Sequence, residues 1–478
     1  MLFNSVAFLI FCPLVFLIYW LTRGVRAQNS VLLAGSLIFY GWWDIRFLSL
    51  ITMVFSVSYF AAILIEKARA RGRKGRPWLA LCLLVTLGTL GLFKYYDFFA
   101  GNAQFVLSCL ALKADLPTLH LILPVGISFY TFQALGYCID VYRGDTHAER
   151  DALDYFTFIA FFPQLVAGPI ERASHLLPQI KKARTFSYAS SVQGLRLMLW
   201  GFFKKCVVAD SCATVVDTVF AASSGYSWLE LLAAAFLFAV QIYADFSGYC
   251  DIAVGTARLF GVELVMNFRL PYFSANIKEF WRRWHVSLMT WFRDYVYIPL
   301  GGSRGGYYKT VRNVFCVFLL SGLWHGAMWT FVLWGAWHAV WMTCHAIMER
   351  KVGGHLPFSG KPYPGVAATF LVVMLGWIFF RAPSVEAAFQ YMGALFSPLQ
   401  SPLAYQFSRM PLFWAAILLT GEFIGRRSLC PVDVLPQGGG KNRIMRWSVY
   451  YILLLLLAFF ANGEQEFIYF QLLLSAKS

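Results

Sequence analysis

The stretch FLSLITMVFSVSYFAAILI, residues 47–65, contains no charged residue and is long enough to cross a lipid bilayer as one helix. About 20 apolar residues, each adding 1.5 Å to the length of a helix, span the hydrocarbon core of a membrane. A strand of a transmembrane barrel is shorter and alternates polar with apolar side chains, which this stretch does not. The stretch therefore predicts a membrane-spanning α-helix.

Similar apolar runs recur along the whole chain of 478 residues. Charged residues make up only 13% of the sequence, against about 25% in soluble globular proteins, and the mean hydropathy is +0.60. We therefore expect an all-α, polytopic integral membrane protein with roughly a dozen transmembrane and re-entrant helices. The other predicted spans cover residues 3–21, 29–43, 78–93, 119–141, 153–168, 195–208, 228–246, 311–334, 335–348, 366–380, 410–424 and 449–461.

The net charge of +16 is a topology signal rather than evidence for nucleic-acid binding. Lys and Arg gather in short connections, such as KARARGRKGR at residues 67–76, and Arg23 and Arg26 follow the first span. Cytoplasmic loops are enriched in these residues, so the pattern predicts a periplasmic N-terminus. The same charges attract anionic headgroups, and membrane lipid is the expected partner. Since no polar segment or repeat divides the chain, one domain over residues 1–478 is the simplest organisation.

Ionisable groups inside a membrane mark candidate sites, because each costs about 2.5–3.5 kcal/mol at the centre of a spanning helix. In GLWHGAMWTFVLWGAWHAVW, residues 322–341, His325 stands between Gly322 and Gly326. Glycine permits the close approach of a backbone or a ligand. His338 lies 13 positions later, on a different face of an ideal helix. For either ring, the alternative is a buried neutral histidine that is satisfied by a neighbouring carbonyl or hydroxyl.

A second group lies in FWRRWHVSLMTWFRDYVYIPLGGSRGG, residues 280–306. Its arginines and tryptophans are typical of an interfacial amphipathic helix. That interpretation leaves His285 unexplained, because a neutral imidazole is a weak anchor. The adjacent Arg293 and Asp294 predict a buried ion pair. The glycine-rich end lacks the residue order of a phosphate-binding P-loop.

The third group is Asp245 and Asp251 in AVQIYADFSGYCDIAVG, residues 239–255. Six positions place the two carboxylates about 240° apart around a helix. They are expected to bind helices together, with an ion path as the alternative. The ten cysteines form no CxxC pair and mostly lie in apolar runs, so they are interpreted as small buried hydrophobic residues.

In this order, these blocks resemble the membrane-bound O-acyltransferase family, in particular its bacterial branch that O-acetylates exported polysaccharides such as alginate. Further matching blocks are LPVGISFYTFQALGYCIDVYRGD (123–145), FFPQLVAGPIER (161–172) and EFIYFQL (466–472). The resemblance covers nearly the whole chain, and the block at 280–306 is its most specific part. It implies a core signature over residues 120–345, N-terminal spans in 1–95, C-terminal spans in 365–478 and a central tunnel.

The resemblance implies that His325 and His285 are the catalytic residues. His325, in the LWHG motif, is the expected general base that takes the proton of the attacking hydroxyl. His285 is expected either to donate a hydrogen bond to the oxyanion or to orient His325. The expected substrate-binding residues are Trp324, Trp284, Arg293 and Asp294.

The implied reaction moves acetyl groups from a cytoplasmic donor, acetyl-CoA, across the inner membrane to an exported polysaccharide, without a metal. A periplasmic acetyl-accepting transferase is the expected protein partner. Alginate, cellulose, peptidoglycan and other exopolysaccharides all remain open as the polymer. The first alternative is a D-alanyl transferase of the same family, which uses a small carrier protein. The second is a transporter or flippase without acyl chemistry, against which the lack of an inverted repeat argues.

Overall fold

The computed structural model describes residues 1–112, 115–351, 362–396, 406–436, 438–460 and 467–468. Every regular element in these ranges is helical, which confirms the all-α prediction. Residues 1–194 and 253–265 form one compact unit, and residues 195–252 with the described residues from 266 onward form another. The single domain over 1–478, with its core at 120–345, stays a prediction.

Within the described ranges, five helices are long and apolar enough to cross a membrane: Arg46–Ala70, Arg76–Cys109, Trp228–Leu259, Tyr363–Arg381 and Lys441–Phe460. Two shorter apolar helices are Val6–Leu21 and Met410–Ile424. Some predicted spans break into pieces. The span at residues 153–168 is divided between two short helices, Ala152–Ala160 and Phe162–Leu165. Pro163, the second residue of the latter helix, has no N–H with which to continue the first. The protein is a multi-pass membrane protein.

In the first unit, a helix over residues 46–70 packs on two others, at residues 76–90 and 127–143. A π-helical turn, Gly91–Tyr95, joins two of its helices into the long candidate span Arg76–Cys109. The helices of this unit are α1 (Val6–Leu21), α2 (Val25–Gly41), α3 (Arg46–Ala70), α4 (Arg76–Leu90), α5 (Tyr96–Cys109), α6 (Ile127–Arg143), α7 (Ala152–Ala160), α8 (Phe162–Leu165), α9 (Ala173–Lys181) and the start of α10 (Tyr188–Phe202).

Residues 253–265 form hydrogen bonds with buried side chains elsewhere in the first unit. The Tyr19 hydroxyl donates to the Phe260 carbonyl at 2.9 Å. The Val265 N–H donates to the Glu171 carboxylate at 2.6 Å. Glu171 also accepts from His175 at 2.7 Å, and this hydrogen bond raises the pKa of His175.

The second unit contains the segments that carry both candidate histidines. Its helices are α11 (Asp210–Ala221), α12 (Trp228–Leu259, whose last residues belong to the first unit), α13 (Ile277–Arg283), α14 (Val286–Phe292), α15 (Tyr307–His325), α16 (Trp329–Lys351), α17 (Pro362–Arg381), α18 (Val385–Leu395), α19 (Met410–Ile424) and α20 (Lys441–Phe460).

Helices α15 and α16 form a hairpin whose closeness depends on two glycines. A methyl group on Gly322 would overlap the carbonyl oxygen of Phe331, and one on Gly335 would overlap that of Phe318. Only glycine lets the two backbones approach this closely. The hairpin therefore fixes the end of α15, where His325 is the last helical residue.

Candidate active site

His285 lies at a sharp break between two short helices. Helix α13 starts at an Asn276 cap, whose side chain accepts the Glu279 N–H at 2.9 Å. At His285 the backbone is left-handed, with φ 46° and ψ 53°, and α14 starts immediately after it. A non-glycine residue held in this region is uncommon and points to a constrained site. The expected interfacial helix is thus interrupted at the histidine.

Asn267 holds the backbone that follows this break. Its carbonyl accepts the Val286 N–H at 3.0 Å, and its side-chain oxygen accepts the Ser287 N–H, also at 3.0 Å. Asn267 is completely buried. Two hydrogen bonds accepted by one buried residue therefore set the course of the chain after His285.

The imidazole of His285 is buried, with 1% of its surface exposed, and its walls are aromatic. The nearest ring within the described ranges is Phe246 of α12, 4.7 Å away between centroids. Trp324 lies at 6.0 Å and Phe268 at 6.4 Å. The histidine is therefore excluded from bulk water.

His325 occupies a similar aromatic enclosure at the end of α15. Among the described residues, three rings meet it edge to face: Trp324 at 5.0 Å, Trp334 at 5.1 Å and Phe380 at 5.2 Å. Its exposed fraction is 7%, which makes it the more accessible of the two candidate histidines. Trp324 contacts both imidazoles, so the structure brings His285 and His325 to one shared indole although 40 positions separate them in sequence.

The remaining candidate residues are one buried tryptophan and one ion pair near the surface. Trp284 is buried and packs on Trp377 at 5.0 Å, which joins it to the same aromatic cluster. Arg293 and Asp294 do form an ion pair at 2.6 Å, but 61% and 26% of their side chains are exposed. The prediction of a buried pair is wrong, because adjacency in sequence fixes the contact but not its depth.

His338 is fully buried in the α15–α16 hairpin. Its ring lies 4.8 Å from Trp281 and 5.0 Å from Trp334, which also contacts His325. Among the described residues neither nitrogen of His338 has a hydrogen-bond partner, so the expected carbonyl or hydroxyl is not found there.

Two consecutive lysines, which the sequence analysis missed, neutralise the aspartates of α12. A π-helical turn, Phe203–Ala209, carries both. Lys204 contacts Asp251 at 2.8 Å, and Lys205 contacts Asp245 at 2.6 Å. All four residues are buried, so the predicted role of the aspartates in binding helices together is confirmed.

Each lysine also has a second acidic partner. Lys204 contacts Glu422 of α19 at 2.8 Å, and Glu422 accepts the Tyr243 hydroxyl at 2.5 Å. Lys205 contacts Asp210 at 3.0 Å. Within the described residues, no group of three or more His, Cys, Asp and Glu side chains is arranged to hold a metal ion.

The sequence profile of the membrane-bound O-acyltransferase family matches residues 148–380, which include both histidines and Trp324. The probable alginate O-acetylase AlgI of Azotobacter vinelandii is 42% identical over 401 residues, 83% of this chain and 78% of that protein. The chain belongs to the membrane-bound O-acyltransferase family. Its catalytic class is therefore O-acyl transfer, as predicted.

Two further members of the family are informative. The peptidoglycan O-acetyltransferase of Helicobacter pylori is 35% identical over 424 residues, which cover 82% of this chain and 79% of that protein. The teichoic acid D-alanyltransferase of Bacillus subtilis is 32% identical over 243 residues, 49% of this chain and 62% of that protein. The similarity to the two acetyltransferases thus extends over a much larger part of this membrane-bound O-acyltransferase.

Proposed function

We propose that this protein transfers acetyl groups from cytoplasmic acetyl-CoA, across the inner membrane, for O-acetylation of an exported polysaccharide. The observation that carries the proposal is the meeting of His285 and His325 at Trp324 inside a buried aromatic enclosure. The long similarity to an alginate and a peptidoglycan O-acetylating protein supports acetyl as the acyl group. The polymer is one of the class that includes alginate, peptidoglycan and cellulose.

In the proposed mechanism, His325 is the general base. Its neutral imidazole takes the proton from the acceptor hydroxyl as the oxygen attacks the thioester carbonyl. The tetrahedral intermediate carries a negative oxygen, to which His285 donates a hydrogen bond. The carbon–sulfur bond then breaks, and the proton on His325 goes to the leaving thiolate. An enclosure without bulk water limits hydrolysis of the donor and strengthens these electrostatic interactions.

The histidine assignment is tested by His325→Ala in membranes supplied with radiolabelled acetyl-CoA. Loss of a general base is expected to lower the rate by about 10²–10⁴-fold. His345→Ala is the matched control, because this partly exposed histidine belongs to the same hairpin. Equal acetyl transfer by His325→Ala and wild type, at equal amounts of folded protein, would reject the assignment.

The donor is tested by offering membranes acetyl-CoA or a D-alanyl carrier protein, each with a radiolabelled acyl group. Label transfer from acetyl-CoA, with release of free coenzyme A, is the expected result. Transfer from the D-alanyl carrier alone would support the alternative that the Bacillus subtilis relative suggests. Family membership favours either reaction over transport without chemistry.

The proposal also includes an orientation and a partner. The connection between α3 and α4 is basic and exposed, which supports a cytoplasmic position and hence a periplasmic N-terminus. A periplasmic acetyl-accepting transferase is the proposed partner. In intact spheroplasts, an epitope tag at the N-terminus should bind antibody, and one inserted after Gly72 should not. The reverse pattern would contradict the proposed orientation of the protein in the membrane.

A further inference from the structure

Two residues close to the C-terminus, Phe467 and Ile468, are buried in the second unit. The backbone N–H of Ile468 donates to the Asp245 carboxylate at 2.7 Å. The other oxygen of Asp245 contacts the Lys205 ammonium at 2.6 Å. A hydrogen bond to an ionised acceptor is about twice as strong as one between neutral groups. The fully buried Asp245 thus anchors residue 468 to α12.

The neighbouring side chain continues this contact toward the candidate active site. The Phe467 ring lies 5.5 Å from Phe246 and 5.2 Å from Tyr249, both on α12. Phe246 follows Asp245 directly, and its ring lies 4.7 Å from that of His285. One face of α12 therefore receives the C-terminal residues and also supports the imidazole.

We propose that Phe467 is a positioning residue for acyl transfer, which acts by holding Phe246 against His285. This inference rests on the proposed role of His285. Asn267 fixes the backbone after His285, and among the described residues Phe246 and Trp324 pack on the His285 ring. Phe246 lies closer to the imidazole than Trp324 does, and Phe467 packs on Phe246. A displacement of about 1 Å in an active site can cost about 10²-fold in rate.

The Lys205–Asp245 pair explains how residues 467–468 can be held in place for this purpose. Ordering any segment costs conformational entropy, which the contacts that it makes must offset. Here a buried ion pair supplies the acceptor for the Ile468 N–H, next to the Phe467 contact. The ion pair thereby couples residues 467–468 to the position of His285.

The experiment compares Phe467→Ala, Phe467→Leu and Phe467→Tyr in the full-length protein, using acetyl-CoA as the donor. Phe467→Ala should lower kcat by about 10- to 100-fold and leave KM for acetyl-CoA within about twofold, because orientation rather than binding is lost. Phe467→Leu should lower kcat by a similar factor. Phe467→Tyr keeps the ring and should retain most of the wild-type kcat. Phe389→Ala, which removes a largely exposed ring, is the control.

A second measurement reports on His285 without any assay of activity. The protein has eight histidines, so ¹⁵N-histidine spectra are simple, and the His285→Gln variant assigns the signal of interest. Phe467→Ala and Phe467→Leu should shift the His285 signal, and Phe389→Ala should not. If Phe467→Ala fails to fold, Phe467→Leu, which keeps an apolar side chain of similar size, provides the same comparison.

An unchanged kcat together with an unchanged His285 signal in a folded Phe467→Leu protein would overturn the positioning role. So would an equal loss of activity in Phe467→Tyr, because a ring at this position would then be irrelevant. If the wild-type protein transfers nothing from acetyl-CoA, the proposed donor fails. The histidine spectra would in that case still decide the role of Phe467.

Discussion

The imidazole of His285 lies 6.0 Å from the indole of Trp324, between centroids, with the two planes tilted by 59°. The same indole meets His325 edge to face at 5.0 Å. Trp324 is buried and belongs to α15, whereas His285 precedes α14. One side chain therefore packs against two candidate catalytic groups from separate segments of the chain.

Replacing Trp324 should damage catalysis in proportion to the volume removed. Trp324→Ala leaves a cavity beside both histidines and should cost about 3–5 kcal/mol of stability, with a rate loss of about 10²-fold or more. Trp324→Phe keeps an aromatic ring at this position and should retain more of the stability and of the rate. Thermal unfolding in detergent and label transfer measure the two effects. Trp341→Ala, at a partly exposed tryptophan of α16, is the control and should change neither greatly.

The α15–α16 hairpin should not tolerate a side chain at Gly322. In Gly322→Ala the new methyl group overlaps the Phe331 carbonyl, so the helices must separate, at a cost of about 1–3 kcal/mol. Gly88→Ala in α4 adds a methyl group to open space, and should be neutral or stabilising by up to about 1 kcal/mol. Unfolding midpoints in the same detergent compare the two. Equal midpoints would show that the hairpin relaxes freely.

The sequence was sufficient for the fold class, because an apolar run as long as residues 47–65 can cross a bilayer only with its backbone hydrogen bonds paired within a helix, and it lacks the alternation of a barrel strand. His325 and His285 could be selected from their motifs, and Trp324 from its place beside His325. Phe246 could not be selected, because its contact with His285 depends on how distant helices pack.

The buried ion pairs show a different limit of sequence analysis. Asp245 and Asp251 stand out in the sequence as isolated charges. Lys204 and Lys205 lie inside the predicted span at residues 195–208, where nothing in the sequence indicates their partners. The π-helical turn there presents both lysines to α12, and no simple helical periodicity predicts that turn.

Removing Lys204 should destabilise the protein strongly. Lys204→Met leaves Asp251 and Glu422 buried without their shared cation, and breaking a buried pair in this way costs about 3–5 kcal/mol. Lys278→Met is the control, because its pair with Glu349 is 39% exposed on both sides and is worth at most about 1 kcal/mol. Thermal unfolding in detergent measures both. An equal loss of stability in the two variants would contradict the expectation that the buried ion pair matters more than the exposed one.

The His175–Glu171 pair should make stability depend weakly on pH. Because the hydrogen bond to Glu171 raises the pKa of His175 above its unfolded value of about 6.5, folding favours the protonated ring. This contribution is complete below the unfolded pKa and is lost as pH rises through the folded one. His175 is 43% exposed on its side chain, so screening keeps the effect below about 1 kcal/mol. The advantage of wild type over His175→Gln in unfolding midpoint should therefore be larger at about pH 6 than at about pH 8. An advantage that grows with pH would reverse the assigned sign.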